Sequence, residues 1–282
     1  MAEEHALIAL ARRYPQLLLP VDTGMRSSEL YRRAVLRGDF TPGVPDFSLD
    51  ERDTLSECET PAGRVEVLFL AERKDFEHAY RALACRCEPT EIPASVGASF
   101  ITGLINWEKI RTHREEYIAS GGENWSEEFA RFTSRDENYR DTLLLLSAGE
   151  YSAVPAEMTG LSRDEWLKRS VTIRKYHELT HFICRRLWGG DVQPLRDEVI
   201  ADLIGLLAAF GEYDTRLAEI LFGVEDDSFR KGGRLSHYVS ADALAAACET
   251  VRALIAEYAE KLRECDTRDV FAVLCSIFPE KE

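Results

Sequence analysis

The sequence predicts an α+β fold, with a small mixed sheet and helices in the N-terminal half and an all-helical C-terminal half. Two short runs, Arg64–Leu70 and Asp141–Ser147, have the length and apolar content of buried strands. From about residue 163 onward, apolar residues recur instead at helical spacing. The chain has 282 residues, of which 45% are hydrophobic, so it is long enough to bury a substantial core.

Before the second strand, proline and glycine breaks and changes in apolar spacing indicate where the elements begin and end. Helices are predicted near residues 3–15, 27–37, 74–85 and 107–131, the last interrupted at Gly121-Gly122. Residues 41–45 are expected to form a loop, and the acidic stretch up to Pro61 carries only a weak pattern. The stretch from Pro93 to Trp107 is apolar and contains glycine, and it fits either a strand or a loop.

After the second strand, residues 149–155 are expected to form an edge element or a turn. The segment Ser162-Arg163-Asp164-Glu165 has the form of a capping box, which indicates the start of a helix. Further helices are predicted at about 196–211, 214–222, 240–263 and 267–277, with 223–238 as the one substantial irregular segment. These elements suggest an N-terminal segment 1–60, an α/β lobe 61–190 that ends in the helix of the candidate site, and a helical lobe 191–282.

The predicted helix before residue 190 contains the pattern H-E-x-x-H, formed by His177, Glu178 and His181. Two histidines four positions apart lie on one face of a helix, about one turn from each other, so both imidazoles can reach a single ion. Glu178 is poorly placed to be a ligand, but it can take a proton from a water at the open position of the metal. The pattern therefore indicates a metal site with a general base beside it.

The next predicted helix supplies two further acids. It is expected to begin near Pro194 and to fold back beside the first helix after Gly189-Gly190. Glu198 and Asp202 lie one turn apart on the same face of this helix. Glu198 can provide a third metal ligand, and Asp202 can accept the outer ring N–H of a ligating histidine.

Together, H-E-L-T-H at 177–181 and the E-x-x-x-D formed by Glu198 and Asp202 resemble the zincin metallopeptidases of the gluzincin type, the group that includes thermolysin. The resemblance implies one Zn²⁺ held by His177, His181 and Glu198, with Glu178 as the general base and Asp202 behind a ligand histidine. It also implies a zincin-like active-site helix and a peptide or protein as the substrate.

The irregular segment 223–238 contains candidate donors for catalysis. Amide hydrolysis develops negative charge on the carbonyl oxygen, and a His, Tyr or Arg side chain opposite the metal can stabilise that charge. His237 and Tyr238 are the candidates, since the nearby glycines would let this loop approach a cleft. The alternative is a surface loop whose basic residues pair with acids. By analogy with zincins, residues 149–155 could hold an extended substrate, and an ordinary loop is the alternative.

Three other interpretations of the candidate site remain open. The histidine pair and the acids could be ordinary parts of a helix interface. A structural zinc site would require a fourth protein ligand, for which Asp197 and Cys184 are candidates. The chain could also be an interaction protein of zincin descent that has lost catalysis. An open coordination position would argue against the last two.

Composition bears on partners and compartment. The formal net charge of −15 argues against nucleic acid as an obligate partner, because no basic surplus exists to neutralise phosphates. The acidic start and the absence of a long apolar run predict no secretory signal and no membrane span. Seven scattered cysteines, an odd number, favour reduced thiols and a cytoplasmic location. Oligomeric state is not predicted by any pattern.

Overall fold

Contacts divide the chain into two units in the computed structural model, which describes residues 4–93, 96–189, 193–225 and 228–278. The N-terminal unit comprises the described residues up to Cys58 together with Val65–Ser147. The C-terminal unit comprises Glu59–Arg64 together with the described residues from Ala148 onward. This division puts the two helices of the candidate site in one unit, whereas the sequence-based boundary at residue 190 separates them.

The N-terminal unit is built on a four-stranded mixed sheet. Its strands are β1 (Thr54–Thr60), β2 (Gly63–Leu70), β3 (Ala98–Ile105) and β4 (Arg140–Ser147), and their order across the sheet is β1-β2-β4-β3. β2 is parallel to β4, and β3 is antiparallel to β4. The register shifts between Thr102 and Leu104, where Gly103 adopts a positive φ of 73° that suits glycine.

The described residues of this unit also form six helices. They are α1 (Ala6–Arg13), α2 (Glu29–Tyr31), α3 (Arg73–Leu83), α4 (Trp107–Ala119), α5 (Trp125–Phe132) and α6 (Asp136–Tyr139). Leu10 of α1, Phe76 of α3 and Leu145 of β4 are fully buried in the same apolar cluster. Alternate residues of β2 and β4, such as Leu68 and Leu143, enter this cluster because successive side chains of a strand point to opposite faces.

The C-terminal unit is almost entirely helical. It contains α7 (Arg163–Trp188), α8 (Pro194–Phe210), α9 (Thr215–Phe222), α10 (Leu244–Leu262) and α11 (Val270–Ile277). A second apolar cluster contains residues from all five of these helices, including Trp166 of α7 and Val199 of α8. It also includes Ala62, from the two-residue turn between β1 and β2, which is why that turn groups with this unit.

The structure confirms the predicted α+β class and both strands proposed from the sequence. The stretch from Pro93 to Trp107, which fitted either a strand or a loop, contains β3. Residues 94–95 of this stretch and the predicted turn residue Gly190 lie outside the described residues. β1 was not predicted, because it is an edge strand whose residues are mostly exposed and carry little apolar pattern.

Two segments of the C-terminal unit refine the predictions. Residues 149–155 contain a 3₁₀ turn at Tyr151–Ala153 and no strand, so of the two alternatives the turn is correct. The segment between α9 and α10, predicted to be irregular, contains two short paired strands, β5 (Val224–Glu225) and β6 (Ser228–Phe229). Among the helices of the described residues, none combines the length and apolarity needed to cross a membrane.

Candidate metal centre

The predicted metal ligands lie on two adjacent helices, α7 and α8. Ser162 caps α7 by accepting a backbone hydrogen bond from its first turn, and Gly189 ends the helix with a φ of 81°. Pro194 is the first residue of α8, where its missing N–H carries no cost. The helices come close at Gly205, where a Cβ atom would lie 2.8 Å from the carbonyl oxygen of Ile173. Glycine at this position therefore allows the ligands of the two helices to approach each other.

Three side chains direct metal-ligating atoms toward a common point. Nε2 of His177 lies 3.0 Å from Nε2 of His181. The Glu198 carboxylate lies 3.4 Å from the first nitrogen and 3.5 Å from the second. Zinc–ligand bonds of about 2.0–2.1 Å at tetrahedral angles separate the ligand atoms by about 3.3 Å. The predicted ligands are thus together, at separations that suit a single ion.

A carboxylate lies behind each histidine ring. Oδ1 of Asp202 is 2.8 Å from Nδ1 of His177, as predicted for an acid that orients a ligand histidine. Oδ2 of Asp197 is 2.9 Å from Nδ1 of His181, although the two atoms do not have the direction of a hydrogen bond. Both Nδ1 atoms therefore face acids, and both Nε2 atoms face Glu198. Asp197, considered as a fourth ligand, lies on the outer side of His181 instead.

Tyr151 and Arg234 complete the surroundings of Asp202. The Tyr151 hydroxyl donates to Oδ1 of Asp202 at 2.7 Å and lies 2.8 Å from Nδ1 of His177. Arg234 forms a two-pronged pair with Asp202 and donates to the Tyr151 hydroxyl oxygen at 2.9 Å. Its guanidinium also lies 4.4 Å from the centroid of the Phe222 ring. Because Asp202 and the Tyr151 oxygen both act as acceptors, Nδ1 of His177 is left to carry the proton, and Nε2 is free to bind a metal.

The charges of the cluster shift the pKa values of its members. Burial alone would raise the pKa of Asp202, but the positive charge of Arg234 and the hydrogen bond to His177 hold that pKa well below its usual range. Burial would likewise raise the pKa of Glu198, but the hydrogen bond and charge of His177 lower it to about 2. For His177, burial lowers the pKa, and the hydrogen bonds to Asp202 and Glu198 outweigh it and raise the pKa to about 10. The raised pKa places a second proton on His177 between these carboxylates, and a metal cation bound at Nε2 would replace that proton.

The three residues predicted to be catalytic have different positions. Glu178 is half-buried beside His177, and its carboxylate makes no hydrogen bond or ion pair with the described part of the chain. Tyr238 is 37% exposed, and desolvation together with the charge of Glu198 raises the pKa of its phenol, so it lies close to the cluster. His237 is exposed, and no hydrogen bond or ion pair joins it to the cluster among the described residues. The geometry thus brings Tyr238 to the site and does not bring His237 there.

Sequence reasoning missed the role of Tyr151 and recognised Arg234 only as one basic residue of an irregular segment. Tyr151 is 26 positions from His177, and Arg234 is 83 positions from Tyr151. No helical or strand period connects residues so far apart, so spacing alone could not have identified them. The available signal was indirect, since both residues lie in segments that had been marked as candidate parts of the site.

Comparison with known proteins yields one match. A model of a family described as a family of unknown function (DUF7005) matches residues 1–273. No curated protein and no solved structure matches the chain.

Proposed function

The chain belongs to the DUF7005 family of unknown function, and we propose that this member is a zinc-dependent metallopeptidase. The observation that carries the proposal is the convergence of one ligand atom each from His177, His181 and Glu198 within 4.8 Å of one another. Two imidazoles and a carboxylate form a ligand set that suits zinc. The proposal includes a peptide or protein substrate and a cytoplasmic location.

The charge of the buried groups supports a divalent cation. Three carboxylates face the histidines, those of Asp197, Glu198 and Asp202, and Arg234 pairs with Asp202. Among the described residues, no Lys or Arg side chain pairs with Glu198, and the two histidines are neutral when they bind a metal. Since an unbalanced buried charge is costly, a dication between the histidines and Glu198 would compensate the charge of this carboxylate.

The number of protein ligands supports a catalytic rather than a structural ion. Among the described residues, the group of His, Cys, Asp and Glu side chains that could hold a metal contains His177, His181 and Glu198 and no fourth member. Structural zinc sites usually have four protein ligands, whereas catalytic sites have three and leave one position for water or substrate. The three-residue ligand set therefore favours a catalytic zinc site over a structural site in which zinc only joins two helices.

The residues of the site have distinct roles in the proposed reaction. Zinc, when bound, supplies a Lewis acid that polarises a peptide carbonyl and makes water nucleophilic near neutral pH. Glu178 accepts a proton from the attacking water while the oxygen of that water bonds to the carbonyl carbon. Glu178 then passes this proton to the amine nitrogen as the C–N bond breaks. Tyr238, whose pKa is raised by desolvation and by the charge of Glu198, keeps its phenolic proton and can donate a hydrogen bond to the carbonyl oxygen as negative charge develops there.

The first experiment measures metal content by elemental mass spectrometry on untagged protein purified without added metal. We expect about one equivalent of zinc in the wild type, as for a single three-residue site. The double variant His177→Ala, His181→Ala should retain none. A wild type that stays metal-free after zinc is offered would refute the metal site.

The second experiment tests hydrolysis with a quenched-fluorescence peptide library. Glu178→Gln should keep its zinc and lose about 10²- to 10⁴-fold in rate, the usual contribution of a general base. The control is Glu165→Gln, which changes an exposed acid on the same helix and should leave the rate unaltered. Zinc-loaded protein that cleaves no library peptide, or Glu178→Gln at the full wild-type rate, would contradict the peptidase assignment.

A further inference from the structure

Tyr151 is held through its ring and through its backbone. The residue is buried, with only 5% of its surface exposed. The guanidinium groups of Arg174 and Arg234 lie 5.8 Å and 5.6 Å from the centroid of its ring. The backbone N–H donates to the hydroxyl of Ser170 at 3.0 Å. The ring therefore has little freedom to move away from His177.

The turn that carries Tyr151 has an unfavourable backbone conformation. Ser152 and Ala153, the next two residues, have positive φ values of 53° and 52°, in the left-handed region that favours glycine. Two consecutive non-glycine residues there cost conformational energy, which the surroundings must offset. Such strain is found mainly where a side chain must be held in one position for function.

The hydroxyl of Tyr151 closes a small ring of hydrogen-bonding atoms. Its oxygen, Nδ1 of His177 and Oδ1 of Asp202 are mutually separated by 2.7 to 2.8 Å. Its proton goes to the charged carboxylate, which is a stronger acceptor than a neutral imidazole. Its oxygen accepts from Arg234. Without the hydroxyl, the Asp202 carboxylate would lose one of its donors and Arg234 one of its acceptors.

We propose that Tyr151 is a positioning residue of the candidate metal centre, whose hydroxyl holds Asp202 and the His177 ring in the orientation that turns Nε2 inward. The inference rests on the zinc site of the proposed function. Tyr151 acts through Asp202 and His177 and does not ligate the metal itself. Partners of this kind typically contribute ten- to hundredfold to metal affinity.

The test compares Tyr151→Phe with Tyr213→Phe. Tyr213 is a matched control, because its hydroxyl is also buried but has no hydrogen-bond partner among the described residues. Zinc Kd is measured by competition with a chelator of known affinity. The visible absorption spectrum of the cobalt(II)-loaded protein reports the geometry of the ligands. We expect Tyr151→Phe to raise the Kd about tenfold and to change the spectrum, and Tyr213→Phe to change neither.

The outcomes separate the two proposals. Wild-type protein that binds zinc, together with Tyr151→Phe that binds it with unchanged affinity and spectrum, would overturn the positioning role and leave the metal site standing. Wild-type protein that binds no zinc would overturn both. If Tyr151→Phe does not fold, Ser170→Ala removes the backbone anchor of Tyr151 without touching the phenol. Ser170→Ala should also raise the zinc Kd, and an unchanged Kd would count against the positioning role of Tyr151.

Discussion

Gly205 offers a direct test of whether the spacing of α7 and α8 sets the metal site. A Cβ atom at this position would lie 2.8 Å from the carbonyl oxygen of Ile173 and 3.0 Å from its Cγ2. The side chain of Ile173 could rotate, but its carbonyl oxygen belongs to the backbone of α7. Restoring ordinary contact requires the helices to separate by about 0.5 Å. Metal–ligand distances tolerate only about 0.2 Å.

We therefore expect Gly205→Ala to raise the zinc Kd at least tenfold, or about 1.4 kcal/mol. Ile173 is one turn before His177, and Gly205 is one turn after Asp202, so the displacement falls next to the site. The effect on folding should be smaller. Overpacking costs about 1 to 3 kcal/mol, and the better helix propensity of alanine returns about 1 kcal/mol.

The assay combines chelator competition for zinc with urea unfolding of the metal-free protein. Gly211→Ala is the matched control, because Gly211 ends the same helix with a φ of 77° and a Cβ atom there meets nothing within 4 Å. Alanine in that left-handed position should cost about 1 to 2 kcal/mol of stability without moving the helices. Wild-type zinc affinity in Gly205→Ala, or an equal loss in Gly211→Ala, would refute the steric reasoning.

Two further predictions concern the supporting structure. Ser162→Ala removes the cap of α7 and should lower the free energy of unfolding by about 1 kcal/mol in urea titrations, with an unchanged zinc Kd. Asp141→Asn should cost about 1 to 3 kcal/mol at pH 7, because the carboxylate accepts hydrogen bonds from Tyr14 and Lys109. Burial raises the pKa of Asp141, but these bonds outweigh it and leave the pKa below its usual range. The Asp141 carboxylate therefore stabilises the fold at pH values above its unfolded-state pKa of about 3.9. This stabilisation is lost as the pH falls through the pKa that Asp141 has in the folded protein. In acid titrations followed by circular dichroism, Asp141→Asn should lose less stability below about pH 4 than the wild type. The same pH dependence of stability in both proteins would contradict this role.

The sequence predicted the parts of the fold that local patterns determine. The strand Asp141–Ser147 was recognisable because a central strand is buried on both faces and is therefore apolar throughout. The capping function of Ser162 was recognisable because a cap depends only on its own first turn. β1 escaped notice because an edge strand is specified by its neighbour in the sheet more than by its own composition.

The same distinction applies to the candidate site. The positions of His177, His181 and Glu198 follow from spacing within two helices that are consecutive in the chain, so local rules were sufficient. Tyr151 and Arg234 depend on how distant segments pack onto α7 and α8, and no local pattern records that packing. His237 was a candidate by residue type alone, and the exposed position of its side chain shows the weakness of that criterion.

The turn between β1 and β2 limits how the polypeptide can be dissected. Since Glu59–Arg64 groups with the C-terminal unit while its flanks belong to the N-terminal unit, the chain passes between units after residues 58, 64 and 147. A fragment that starts at Ala148 would contain every candidate ligand but would lack Ala62, which belongs to its apolar core. A single protease cut or a simple truncation therefore cannot yield both units complete, and experiments on the metal centre require the full-length chain.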